Sequence, residues 1–368
     1  MPGLGDLVPA WSYPMRKTRV LVADDSALMR QILKRIVAGS ADLELVGLAR
    51  DGEDVVAKAR ELRPDVISMD INMPKLDGIT ALQVILHEKI CPVVMVSSLT
   101  QRGATTTFEC LELGAFDFVA KPDGTVSSNL GAVADELVSK LTAAASHGIV
   151  NRLQCGRDRR QHYRPQVRAS FSKNPRNMAV AIGISTGGPA TLQEVLPRIP
   201  ADVPASVFLV QHMPPSFIAS FAKRLDDNCA LKVVAAQSGM AVDPGVCYVA
   251  SGGGHLCLHR KTTGEVVIRM PATPATLFVP SVGVMMSSVL EIFGTDTIGV
   301  LMTGIGDDGA DSMVAIRQAG GYTIAESELT AVVFGMPREA IERGGACSVA
   351  PSHEVAAEIL QAIRRKTE

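Results

Sequence analysis

The feature that most constrains this chain is a repeated unit. A short, apolar, largely β-branched run stops abruptly at polar residues, and a stretch of helical period follows. Five such runs lie in the first part of the chain, at Arg19–Ala23, Leu43–Leu48, Asp65–Met69, Pro92–Val96 and Phe116–Ala120. The stretches after them predict helices from the cap Ser26 to Ala38, over Glu53–Leu62 and Ile79–His87, near Thr106–Leu113, and over Leu130–Ala145. Strands buried on both faces read as continuous apolar runs, and helices between them impose right-handed parallel crossovers. Residues 18–145 are therefore expected to form a doubly wound (βα)5 domain around a five-stranded parallel sheet.

A second series starts at Met178. Strands are expected over 178–184, 206–211, 231–235, 246–250, 265–270, 297–302 and 322–326, with helices over 190–196, 216–225, 281–293, 309–319, 337–343 and 353–365. This predicts a second doubly wound α/β domain, residues 178–368, with a mostly parallel sheet. Met1–Lys17 is rich in Pro and Gly and reads as a flexible arm. Residues 146–177 interrupt the pattern and read as an interdomain linker; within them Asn151–Arg176 carries eight Lys or Arg against the single acid Asp158.

Composition narrows the partners. A net charge of −2 and a charged fraction of 20% argue against a nucleic-acid-binding protein. The only aromatics in the basic segment are Tyr163 and Phe171, so it reads as a solvated linker rather than a nucleic-acid arm. Seven scattered cysteines suit free thiols in a reducing cytoplasm. No apolar run reaches the roughly 18 residues of a membrane span, and the first residues lack the order of a signal peptide. A cytoplasmic protein without membrane insertion is expected.

The polar residues at the strand ends carry the chemistry. In the first domain they are Asp24, Asp25, Asp70, Ser97 and Lys121, all at the carboxyl edge, where open α/β sheets bind ligands. Crowded carboxylates require a cation, and hard oxygen donors point to Mg²⁺. The motifs VLVADDSALMR, ISMDINMPKLDG, PVVMVSS and FVAKP resemble the receiver domain of two-component signalling. That resemblance implies Asp70 as phosphoacceptor, and Asp25, Asp70 and the Asn72 carbonyl as Mg²⁺ ligands with Asp24 beside them. It further implies Ser97 and Lys121 as the phosphate-responsive pair, and a histidine kinase as phosphodonor.

In the second domain, Gly183-Ile-Ser185-Thr-Gly187 spells G-x-S-x-G between a strand and a helix, the pattern that exposes a nucleophilic serine. A serine needs a base, and the base needs an orienting carboxylate. His212 ends the strand before Met-Pro-Pro215, and Asp307 or Asp308 lies after the strand ending at Met302. The chain order Ser–His–Asp differs from that of α/β-hydrolases, so their fold is not assumed. Cys247, His255, Cys257 and His259 have metal-ligand chemistry, but no C-x-x-C pair is present and the alternation suggests a hairpin strand.

The stretches GISTGGP, QHMPPSF, LMTGIGDDGADSM and VVFGMPREAI, behind a receiver, resemble the chemotaxis protein-glutamate methylesterases, the CheB family. The resemblance implies Ser185 as nucleophile, His212 as base and Asp308 as orienting acid. Thr186, Gly187, Gly188 and Ile305 are implied near the reacting carbonyl, with no cofactor for the esterase step. The implied substrates are glutamate γ-methyl esters, and certain glutamines, on the cytoplasmic helices of chemoreceptors. Two places depart from the family pattern: Ser251-Gly-Gly-Gly-His255 and Val279-Pro-Ser-Val-Gly283 each lack an aspartate usual there. A groove of altered charge, with different receptor preference or lower activity, is the expectation. Two rival readings are a regulator whose second domain is an inactive docking module, and a DNA-binding regulator. The α/β second half lacks the basic helix-turn-helix that the latter needs.

Overall fold

In the computed structural model of the chain, residues 16–121, 130–158 and 178–367 are described. The first unit alternates β1 (Thr18–Ala23), α1 (Ala27–Gly39), β2 (Leu43–Ala49), α2 (Gly52–Leu62), β3 (Val66–Asp70), α3 (Gly78–His87), β4 (Val93–Ser97), α4 (Gln101–Leu113), β5 (Asp117–Ala120) and α5 (Leu130–Asp158). Its five strands pair in parallel in the order β2-β1-β3-β4-β5. Alternation along β1 sorts the two faces: Val20 and Val22 pack with Leu33, Val37, Leu137 and Leu141, while Leu21 and Ala23 join the cluster containing Val55, Ala59, Leu82 and Ile85. Short polar side chains start the helices. Ser26, Asp51, Asp77 and Thr100 accept the backbone N–H groups of Met29, Asp54, Thr80 and Gly103.

The last helix corrects one boundary. It was expected to end near Ala145 but continues to Asp158. The segment contains no proline, so no residue removes a backbone donor from the helical ladder where the strand–helix pattern stops. Residues 159–177, the rest of the expected linker, and residues 1–15 of the expected arm lie outside the described residues.

The second unit contains β6 (Met178–Ile184), α6 (Gly188–Val195), β7 (Ala205–Gln211), α7 (Pro215–Asn228), β8 (Lys232–Ala235), β9 (Val246–Val249), β10 (Cys257–Arg260), β11 (Val266–Arg269), α8 (Val282–Phe293), β12 (Thr297–Leu301), α9 (Ala310–Gln318), β13 (Tyr322–Glu326), α10 (Met336–Glu342), β14 (Ser348–Ala350) and α11 (Ser352–Thr367). Seven strands form one wholly parallel sheet, ordered β14-β13-β12-β6-β7-β9-β8. The run expected at 265–270 is not part of it; β11 pairs antiparallel with β10 in a separate hairpin. β14 was not expected, because three residues are too few to show a period.

Strand order reverses at β6, with β7 on one side and β12 on the other. That reversal opens a crevice at the carboxyl edge, the usual binding place of such sheets.

The two units share an apolar interface. α4 packs against α6 and α7. Phe108 stacks on Phe221 with ring centroids 5.5 Å apart, and Phe118 on Phe217 at 4.7 Å. Each such ring pair contributes about 0.5–1.5 kcal/mol beyond its buried area. At the rim, Arg224 Nε donates to Glu112 Oε1 at 2.9 Å.

Candidate active site at the second sheet edge

Register places the first two candidate residues side by side. Ile184 of β6 pairs with Gln211 of β7, so Ser185 and His212 are the next residues out of two adjacent strands. The His212 N–H donates to Ile184 O at 3.2 Å, and Gln211 Nε2 donates to both Ser185 O (2.9 Å) and His212 O (3.0 Å). One amide thus ties the two loops together. Gln211 was not singled out from the sequence, where a lone amide gives no signal.

On the other flank, the Ser185 N–H donates to Thr303 O at 2.9 Å. Thr303 is buried; its N–H donates to Glu326 Oε2 (2.8 Å) and its Oγ1 to Thr186 O (2.9 Å). Gly304 must be glycine, because a Cβ there would lie 2.7 Å from Ser185 Cβ and 2.3 Å from Met336 Sδ.

The acid comes from the loop after β12. Asp308 Oδ2 lies 2.9 Å from His212 Nε2 and accepts the Val282 N–H at 2.7 Å. Its Oδ1 accepts from Ser281 Oγ (2.8 Å) and the Gly283 N–H (2.9 Å). These donors belong to the first turn of α8 and its cap, where a carboxylate is favoured. Burial pushes the Asp308 carboxyl up, but the hydrogen bonds from His212, Gly283 and Ser281 outweigh it and hold the group below the ordinary range. Asp307 goes elsewhere: it is exposed and pairs with Arg343 at 2.6 Å.

With Asp308 accepting from Nε2, the imidazole proton sits there and the lone pair is on Nδ1. His212 Nδ1 is buried and has no hydrogen-bond partner among the described residues. Ser185 and His212 are thus adjacent but not hydrogen-bonded. Phe278 stacks on the imidazole, centroids 4.2 Å apart and planes 12° from parallel.

The other candidates near the carbonyl site divide. Gly187 lies at φ +78° and its N–H donates to Asp117 Oδ2 of the first unit at 3.2 Å. The Gly188 N–H turns back to Ser185 O at 2.8 Å. Those of Thr186 and Ile305 donate to no group among the described residues.

The suspected soft-metal group is not assembled as one. His255 is fully buried with both ring nitrogens engaged, Nε2 by Pro274 O (2.8 Å) and Nδ1 by the Ser281 N–H (3.1 Å). Burial pushes the Cys247 and Cys257 thiols up, away from the thiolate that a metal requires. At Gly283 an added Cβ would lie 3.2 Å from Asp308 Oδ1, so an aspartate there would bring a second acid beside the first.

At the edge of the first sheet, ligand oxygens of Asp24, Asp25 and Asp70 lie within 4.8 Å of one another, the single candidate cation cluster among the described residues. Asp24 and Asp70 are buried, and Lys121 Nζ is 2.8 Å from an oxygen of each. One lysine thus faces three carboxylates, so the cluster keeps a net negative charge. Burial raises the Asp70 carboxyl above the ordinary range despite Lys121. This all-oxygen, charge-deficient set fits Mg²⁺. Asn72 follows on an exposed loop position, and Ser97 Oγ accepts from Thr107 Oγ1 at 2.7 Å.

Comparison with known proteins identifies the family of each unit. Residues 20–126 match the response regulator receiver domain family and residues 180–359 the CheB methylesterase family. The pairing defines a two-domain response regulator with an enzymatic output. The chain is 58% identical to a protein-glutamate methylesterase/protein-glutamine glutaminase of Syntrophomonas wolfei, over 94% of this chain and 99% of that one. It is 45% identical to the protein of the same name from Archaeoglobus fulgidus, over 95% and 99%. The crystallised CheB methylesterase catalytic domain of Thermotoga maritima is 37% identical and covers 50% of this chain and 98% of its own, with a TM-score of 0.49. The chain belongs to the CheB family of protein-glutamate methylesterases/protein-glutamine glutaminases. It is a hydrolase regulated through a receiver domain.

Proposed function

We propose that Ser185, His212 and Asp308 carry out the hydrolysis, and that the domain of residues 18–145 gates it. The observation that carries this reading is the His212 Nε2–Asp308 Oδ2 bond, with an unpartnered Nδ1 on the strand next to Ser185. Ser185 Oγ attacks the γ-carbonyl of a methylated glutamate while Nδ1 takes its proton. Asp308 offsets the imidazolium charge across the other nitrogen. The Thr186 and Ile305 N–H groups supply donors for the oxyanion. Return of the proton from Nδ1 releases methanol and leaves an acyl-serine. Water, deprotonated by the same nitrogen, then releases glutamate. A glutamine substrate follows the same course and releases ammonia.

Gating is supported by the packing of α4 on α6 and α7, by Phe118 of β5 stacked on Phe217 of α7, and by the Asp117 carboxylate on the Gly187 N–H. While that bond persists, a carboxylate from the first unit sits two residues from the nucleophile. Asp70, held by Lys121 and flanked by Asp24 and Asp25, is the phosphoacceptor in this reading. Asp25, Asp70 and the Asn72 carbonyl, with Asp24 beside them, would hold Mg²⁺, which supplies charge neutralisation during phosphoryl transfer. Ser97 and Lys121 respond to the phosphate. A chemotaxis histidine kinase is the donor, and the substrates are cytoplasmic helices of methylated chemoreceptors. Among the described residues no helix is long and apolar enough to cross a membrane, and a cytoplasmic location accords with such substrates.

Methanol release from methylated receptor membranes, with and without a small phosphodonor and Mg²⁺, tests both parts. Ser185→Ala is expected to abolish release while leaving Asp70 phosphorylation intact. Asp70→Asn is expected to keep basal release and lose the stimulation. Near-full activity of Ser185→Ala would refute the nucleophile.

A further inference from the structure

Pro271–Ser281 forms a strap between β11 and α8. Residues 272–277 and 279 are exposed, and Leu277 keeps 89% of its surface in solvent. Within that run Phe278 alone is partly buried, and the ring it lies on is that of His212. An exposed strap cannot hold a ring in register unless its ends are fixed. Here one residue holds the strap, by its backbone at Pro271 and by its side chain at Pro274 and Ser281. The His255 N–H donates to Pro271 O at 2.7 Å, its Nε2 bonds Pro274 O at 2.8 Å, and its Nδ1 accepts the Ser281 N–H at 3.1 Å. Nδ1 must accept because its partner is a donor, so the proton is on Nε2, where a carbonyl takes it. Beyond the strap, Ser281 Oγ donates to Asp308 Oδ1. Thr276 Oγ1 donates to Phe278 O at 2.6 Å and tightens the turn at the aromatic ring.

We infer that Phe278 is a positioning residue for the general base, and that His255 is the anchor that holds it in place. Gln211 and the Asp308 bond define two points of the His212 loop and ring, but an imidazole held by one edge can still tilt about that bond. A flat ring nearly parallel to the imidazole at 4.2 Å removes that freedom and excludes water from one face. The lone pair of Nδ1 is then kept in the plane in which Nε2 meets Asp308. When Ser185 gives up its proton, the imidazolium forms against an aromatic face, which attracts a cation. The inference rests on His212 acting as the base.

The test uses the full chain, phosphodonor, Mg²⁺ and methylated receptor membranes. Phe278→Leu removes the flat face at similar bulk, and kcat is expected to fall between about ten- and a hundredfold, the scale of a small misplacement of a catalytic group, with KM little changed. Phe278→Tyr and Phe278→Trp, which restore a flat ring, are expected to recover kcat. Leu277→Ala, on the same strap, is expected to leave it alone. His255→Ala is expected to reproduce the Phe278→Leu loss. A second readout needs no substrate: ¹⁵N-histidine spectra of the wild type should show one His212 species with the proton on Nε2, and those of Phe278→Leu a mixture. If Phe278→Leu does not fold, Phe278→Met answers the same question. Wild-type kcat and unchanged His212 signals in the Leu or Met variant would overturn the inference while His212→Ala remains inactive. Activity retained in His212→Ala would instead refute the base assignment beneath it.

Discussion

The backbone N–H of Gly187, two residues beyond Ser185, donates to the carboxylate of Asp117, seventy positions earlier in the chain. Asp117 is buried, its Oδ1 accepts the Phe118 N–H at 2.7 Å, and the buried Lys140 lies 3.5 Å away. Lys140 in turn donates to Phe118 O and to Glu136 Oε1. A charge-assisted bond across the two units is therefore held rigidly from the side of the first one.

Breaking that bond should loosen the gate. Asp117→Asn keeps the shape and removes the charge; a hydrogen bond to a charged group contributes about 1.5–3 kcal/mol against roughly 1 for a neutral one, and the difference is what the substitution forfeits. Unphosphorylated protein is expected to release methanol roughly ten times faster, a shift of about 1.4 kcal/mol, while the phosphorylated rate stays near wild type. Equal basal rates in the two proteins would show that the contact does not restrain the site.

Asp308→Asn should separate orientation from charge. An amide in place of the carboxylate can donate to Nε2, which favours the tautomer with the proton on Nδ1 and removes the lone pair that Ser185 needs. A fall in kcat of about 10³–10⁴ is expected, with KM nearly constant. A fall of less than tenfold would argue that Asp308 is only a cap for α8.

The same carboxyl makes a pH prediction. Its folded pKa is depressed, so the stabilisation it brings is present above the unfolded value of about 3.9 and is lost as pH falls through the lower folded value. Wild-type melting temperature should therefore drop more steeply below pH 4 than that of Asp308→Asn. Parallel acid limbs in the two proteins would contradict the direction of the shift.

Mg²⁺ should stabilise the first unit by mass action. At a hundredfold excess over its dissociation constant, the gain is about 2.7 kcal/mol. Thermal melts are expected to rise with Mg²⁺ in wild type and to lose that rise in Asp70→Asn and Asp25→Asn. A rise that survives both substitutions would move the cation elsewhere.

Gly304→Ala tests the packing under the nucleophile. The new methyl group would sit 2.7 Å from Ser185 Cβ, so one of them must move. kcat should fall by about a hundredfold for a displacement near 1 Å. Circular dichroism would check that the fold survives, and an unaffected kcat would show that the turn has slack.

The strand–helix alternation made both sheets legible, because buried parallel strands need unbroken apolar runs such as Met178–Ile184 and crossovers need helices. The strand-end polar residues were legible for the same reason: Asp70 and Ser185 interrupt apolar runs where burial would otherwise forbid them. The exceptions follow from missing period. β14 is too short to show one, and α5 runs past Ala145 through a proline-free segment that carries no regular apolar stripe to announce it.

What the amino-acid sequence determines by itself is which chemistry stands at each strand end, since propensity, period and residue type are local. Only the tertiary structure decides how those ends meet. His255 carries the chemistry of a metal ligand, yet three-dimensional packing makes it the clamp of the Phe278 strap. Asp307 and Asp308 are neighbours of identical chemistry, and the start of α8 takes one while Arg343 takes the other. Gln211, Phe278 and Asp117 act at the site through partners 26, 66 and 70 positions away, 66 being 278 minus 212. Contacts at that separation are set by sheet order and by packing between the two units, which no local pattern encodes.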